Sequence, residues 1–265
     1  MSNEKMYKGF RASLLSMLLP LFVVAEGNVR ANAEDVHDII DICTASEKIM
    51  KDYALIGMKI TYHNPQKALD ETLKHLKQEM KHLEKHKLSK KLHNEELKLH
   101  KEWAKMEENL TKTPTKESAL ALHNRVNTFA EHCEVLAEHL AKDTGNMAEH
   151  YVVEIARLNL DVQELAAIYV MKAWGAMGDD AYYEEVKHIL HDYIKTYDDL
   201  MAADGKMVSS NVKKHLKVLK KHFMIFEFMA ESRSGRYVPL LIAKKAEKIN
   251  KETKNILEEE EREVE

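Results

Sequence analysis

Two cysteines, fifteen histidines and two Glu-x-x-His pairs are the parts of this sequence that could carry chemistry. Glu79/His82 and Glu185/His188 have the i,i+3 spacing with which carboxylate-bridged di-metal bundles present ligands from a helix. Their helices argue against that use. The apolar stripe around the first pair is Leu69, Leu73, Leu76, Met80 and Leu83, and around the second it is Val186, Leu190, Tyr193 and Tyr197, so both pairs are predicted beside or away from a core. No metal centre is expected. His82 and His86, at i,i+4, offer at most an adventitious surface site, and His75, His93 and His100 stand among lysines where solvated side chains are the ordinary state. Haem-attachment and cysteine-histidine zinc spacings are missing, as are a nucleophile elbow and glycine-rich nucleotide loops. The expectation is therefore a non-enzyme without a cofactor.

Cys43 and Cys133 are the more specific constellation. In an up-down bundle the first and fourth helices are antiparallel neighbours. Cys43 lies 19 residues before Tyr62 and Cys133 lies 17 residues after Lys116, so their levels along the bundle differ by only about 3 Å at ~1.5 Å per residue. Both fall on apolar seams, which predicts a disulfide or at least mutual contact. A bridge closing so long a loop would be worth roughly 4 kcal/mol if unstrained.

The elements that would position these residues are helices throughout. Gly and Pro are scarce, at eight and four, and no stretch alternates strictly between apolar and polar residues. Breaks at Tyr62 to Pro65, His86 to Ser89, Thr111 to Thr115, Asp143 to Asn146, Gly175 to Asp180, Ala203 to Gly205 and Ser232 to Gly235 divide the chain into eight helices. The 40 basic and 44 acidic residues, net −4, are mixed along nearly every helix, which argues against a nucleic-acid partner.

Residues 1–33 read differently. Lys5, Lys8 and Arg11 precede an apolar run from Ala12 to Ala25, with small residues suited to cleavage at Ala25 or as late as Ala33. At 14 residues the run is shorter than the ~20 needed to span a bilayer. A signal peptide over 1–25, a periplasmic mature protein and no membrane span after cleavage are expected.

The seam of the first helix, Val36, Ile39, Cys43, Ser46, Met50 and Tyr53, recurs 116 residues later as Val152, Ile155, Asn159, Val162, Ala166 and Tyr169. Leu99, Trp103 and Met106 recur 120 residues later as Leu219, Phe223 and Phe226. Two offsets in one order predict a duplication. The expected fold is all-α: two tandem antiparallel four-helix bundles, 33–145 and 146–265, after the signal peptide.

The segment Val152 to Gly175, with Arg157, Gln163, Ala166, Tyr169 and the ending Lys172-Ala173-Trp174-Gly175, resembles the motif helix of PilJ-type (NarX-like) sensor domains. Ser46, Lys48, Lys51 and Tyr53 carry the likeness in the first copy. The resemblance implies a sensor-type binding module with a small polar ligand, such as an anion, between motif helices. Where the family has two motif arginines the first copy has Asp41 and Cys43, while the second keeps Arg157 and has Asn159. The expected ligand residues are thus Arg157, Asn159, Gln163 and Lys48. The resemblance further implies signalling through a membrane-bound partner protein, and it is compatible with a homodimer. The rival expectation is a structural or protein-interaction bundle that binds no small molecule.

Overall fold

The computed structural model describes residues 30–264, and the signal-peptide segment 1–25 lies outside them. The described residues form eight helices and no strand: α1 (Ala33–Gly57), α2 (Pro65–Leu83), α3 (Lys90–Leu110), α4 (Lys116–Thr144), α5 (Met147–Trp174), α6 (Asp179–Ala202), α7 (Ser210–Ala230) and α8 (Pro239–Val264). The protein is all-α.

Local chemistry sets the boundaries. Asn32 and Asp35 form a capping box at the start of α1, as Thr115 and Ser118 do for α4, each satisfying helix-end N–H groups that would otherwise lack partners. Gly145 and Gly175 end α4 and α5 in the left-handed region, at φ 74° and 75°, where a side chain would be strained. Ala31 is buried and its N–H donates to Asp143 at 2.8 Å, so the chain just before α1 is tied to the end of α4.

α1 and α5 are the two most enclosed helices, and one apolar core runs through all eight. α1 packs on α2, α4 and α5, while α5 packs on α1, α4, α6 and α8. The two central helices run parallel. Lys51 meets Gln163 in the second half of each helix, and Gly57 meets the Trp174 ring at their C-terminal ends. The hydroxyls of Tyr53 and Tyr169 are both held near the start of another helix. Tyr53 exchanges a 2.8 Å hydrogen bond with Ser118 at the start of α4, and the Tyr169 hydroxyl accepts from the Val238 N–H, 3.1 Å away, just before α8. Trp103 packs on Phe129 and Phe223 stacks on Tyr193.

Cys43 and Cys133 are buried free thiols, so the disulfide expected from the sequence is not made. The neighbourhood is the expected one. The Cys133 thiol points at the Ile39 carbonyl, 3.8 Å away, and lies in hydrogen-bonding contact with Cys43.

Candidate ligand cleft

Polar groups inside a helical core need partners, because an unpaired buried charge costs several kcal/mol. α1 and α5 bury several, and their pairing defines the site. Lys51 is 1% exposed; its ammonium donates to Gln163 Oε1 at 3.1 Å and to Glu247 Oε1 at 2.6 Å. Gln163 Nε2 donates onward to the Ala246 carbonyl at 3.0 Å and to Asn159 Oδ1 at 3.4 Å, and Asn159 Nδ2 donates to Asn250 Oδ1 at 2.8 Å. One network thus joins α1, α5 and α8. Burial works to raise the Glu247 carboxyl, but Lys51 and Lys48 outweigh it and hold the group below its ordinary range. For Asp52 burial wins over Lys51, and its carboxyl is pushed up to about 6.

The network forms the floor of a cleft of about 560 Å³ between α1, α2 and α8, within the usual range for small-molecule sites. Lys48, Lys51 and Asp52 line it from α1, Pro65 and Thr72 from α2, and Leu240 and Glu247 from α8. Tyr62 and Lys244 close one side. The Lys244 ammonium lies 4.8 Å from the Tyr62 ring centroid and 3.2 Å from its hydroxyl. His63 and Asn64, also at this rim, have φ of 61° and 48°. Two consecutive non-glycine residues in the left-handed region cost about 1–3 kcal/mol each, strain that is characteristic of binding loops. It comes from the α1–α2 turn, which Asn64 completes by capping α2 through the Lys67 N–H.

Of the expected ligand residues, Lys48 lines the cleft, while Asn159 and Gln163 lie under it, joined to its lining residues Asn250 and Lys51. Arg157 is elsewhere. It projects toward α4, where Nε donates to Glu134 and Nη2 to Glu138, both at 2.9 Å, and Nη1 donates to Glu154 at 2.7 Å. Beside it a hollow of about 350 Å³ is lined by Glu134, Asp161, Glu164, Glu185 and Asp192. Three carboxylates on one guanidinium, with further acids around it, make this a poor anion site. Burial and the neighbouring Glu185, Glu134 and Asp192 push the Glu164 carboxyl up to about 8. Asp161, whose Oδ2 is buried without a hydrogen-bond partner, is raised well above its ordinary range by burial and by Glu164.

The Glu-x-x-His pairs lie beside the core, as the sequence predicts. Glu79 and His82 miss the core stripe of their own helix yet face α1, whose Asp35, Asp38 and Asp41 meet His86, His82 and His75 in a ladder between the two helices. Ligand atoms of Asp38, Glu79 and His82 lie within 4.8 Å of one another. The second pair separates: His188 bonds Glu184 on the surface, and Glu185 pairs with His123 of α4 at 2.9 Å.

Sequence reasoning did not single out Glu247 and Asn250. The signal available was the i,i+3/i+4 stripe Leu240, Ala243, Glu247, Asn250 and Lys254 along one face of α8, all of it on the cleft. Compared with protein-family models, curated proteins and solved structures, the chain matches none of them.

Proposed function

We propose that this chain is a non-catalytic, exported helical binding protein of the sensor type, which holds a small polar ligand in the cleft between α1, α2 and α8. The observation that carries the reading is a cleft of about 560 Å³ whose lining gathers Lys48, Lys51, Lys244 and Lys254 beside an apolar wall. Lys48 and Lys244 suit an acidic group on the ligand, while Leu55, Pro65 and Leu240 suit an apolar body. Nitrate and nitrite are too small to fill such a volume, so a carboxylate with a short carbon skeleton fits better. Arg157 is a stabilising group, not a ligand group.

The two sets of four helices are two copies of one bundle, joined along α1 and α5; the matched settings of Tyr53 and Tyr169 support this. The kinship to PilJ-type sensors rests on the motif residues of α1 and α5. Among the described residues no helix is long and apolar enough to cross a membrane. On the likeness to PilJ-type sensors, occupancy is relayed to a membrane-bound partner protein. Export follows from the N-terminal segment, with cleavage near Ala25, because Ala31 and Asn32 anchor α1.

Calorimetry with nitrate, nitrite, acetate, succinate and glutamate tests the site. Binding of at least one carboxylate, abolished by Lys48→Ala and Lys51→Met and retained by Arg157→Ala, is expected. Failure of wild type to bind any of them would abandon the small-ligand reading. The second reading, a protein-interaction module, is favoured by Met224, Ile225 and Phe228, which lie on adjoining turns of α7 and are 56%, 39% and 78% exposed.

A further inference from the structure

The ladder between α1 and α2 gathers imidazoles and carboxylates from both elements within a few ångströms. Asp35 is fixed at both carboxylate oxygens. Oδ2 accepts from the Asn32 N–H at 2.7 Å, within the capping box that starts α1, and Oδ1 accepts from Nδ1 of His86. Nε2 of the same ring lies 3.9 Å from Asp38 Oδ2, so the His86 imidazole stands between two carboxylates.

The neighbouring groups form two overlapping triads, Asp38 with Glu79 and His82, and Glu34 with His82 and His86, in each of which ligand atoms lie within 4.8 Å of one another. His82 Nδ1 lies 2.6 Å from the same Asp38 oxygen, and the His82 and His86 rings, 4.7 Å apart, join the two triads. We propose that Asp38, Glu79, His82 and His86 bind one first-row transition-metal dication, zinc foremost, with Asp35 as the residue that orients His86. Two imidazoles and two carboxylates suit such an ion, and bonds of about 2.0–2.1 Å place tetrahedral ligands roughly 3.3 Å apart. The separations of 2.6 and 3.9 Å bracket that value, so rotation of side chains suffices. On binding, the metal takes Nδ1 of His82 and the ring's single proton moves to Nε2, which lies 3.8 Å from Glu34 Oε1. The Asp35–His86 pair supplies the carboxylate–histidine support that metal-bound imidazoles ordinarily have. Asp38 and His86 are largely buried, at 11% and 13% side-chain exposure, whereas His82 at 40% leaves an entry path. The ion would fasten the start of α1 to the end of α2, one turn from Asp41 and His75 of the cleft.

The test is titration of untagged, chelator-treated protein with zinc chloride and cobalt chloride. One tight equivalent is expected, with visible bands of four-coordinate cobalt and a raised Tm. His86→Ala and Asp38→Asn should weaken zinc by more than about 100-fold and Asp35→Asn by about 10–100-fold, while His188→Ala should change nothing. Wild-type protein without a tight equivalent, or affinity unchanged in both His82→Ala and His86→Ala, would overturn the proposal. The cobalt spectrum is read on wild type, so the result does not depend on a variant folding.

Discussion

Gly57→Ala probes the parallel seating of α1 on α5. A Cβ at Gly57 would stand 2.2, 2.4 and 2.7 Å from Cη2, Cζ2 and Cζ3 of Trp174. Ordinary carbon contacts begin near ~3.5 Å, so the indole must retreat by roughly an ångström or more. It has little room to do so. Trp174 packs against the core, and its backbone is held by the Gly175 cap, whose N–H donates to Lys172 O at 2.9 Å. Overpacking of this kind costs about 1–3 kcal/mol. Alanine returns about 0.5–1 kcal/mol, because it orders a helix more easily than glycine and the backbone here is not left-handed. Net destabilisation of about 0.5–2 kcal/mol is expected. In a Trp174→Ala background the clash is gone and only the gain remains, so the same substitution should stabilise by about 0.5–1 kcal/mol. Urea unfolding of the four proteins closes the cycle, with a coupling of about 1–3 kcal/mol. A coupling near zero, or stabilisation by Gly57→Ala in wild type, would refute the seating of the two helix ends.

Three further expectations follow from the buried polar groups. Glu164 has an ordinary value of 4.5 and is held near 8 in the folded chain. The native state therefore binds the extra proton between those limits, and stability should fall as pH rises from about 4.5 to 8. Asp161 and Glu47, also raised, add to the same trend. Thermal unfolding across that range should show Tm dropping, with a flatter profile in Glu164→Gln; a Tm that climbs with pH would contradict the acidic hollow. Arg157→Ala leaves Glu134, Glu138 and Glu154 without their shared cation and should cost about 1–3 kcal/mol at pH 7, less near pH 4.5, because burial raises the Glu134 carboxyl and lets it take up a proton there. Equal loss at both values in urea melts would rule out the electrostatic cause. Burial raises both thiols, Cys43 and Cys133, so native protein should resist alkylation, and both should react once the unreduced protein is unfolded; fewer than two reactive thiols would reveal a bridge.

Much of the fold was legible because helix ends are written in local chemistry. Asn64-Pro65, Thr115 and Gly175 mark boundaries without knowledge of any partner, and the stripe through Val36, Ile39 and Tyr53 tells which side of α1 turns inward. The site was far less legible, because it lies on the flanks of those stripes. Glu79 and His82 miss the core of α2 and yet face Asp38, since a helix wedged between neighbours buries more than its central seam. Gln163 finds Lys51 across 112 residues, and Arg157 finds Glu134 and Glu138 on another helix. The identity of a residue indicates that it needs a partner, but only the rotation of one helix against the next decides which partner it meets.

Chemical-shift mapping of ¹⁵N-labelled protein with the tightest-binding carboxylate of the calorimetry panel tests the cleft most directly. Perturbed amides are expected to gather on residues 44–55, 62–72 and 240–250, the three walls around Lys51. Shifts centred on Arg157 and the α4–α6 hollow, or scattered with no centre, would contradict the placement of the ligand.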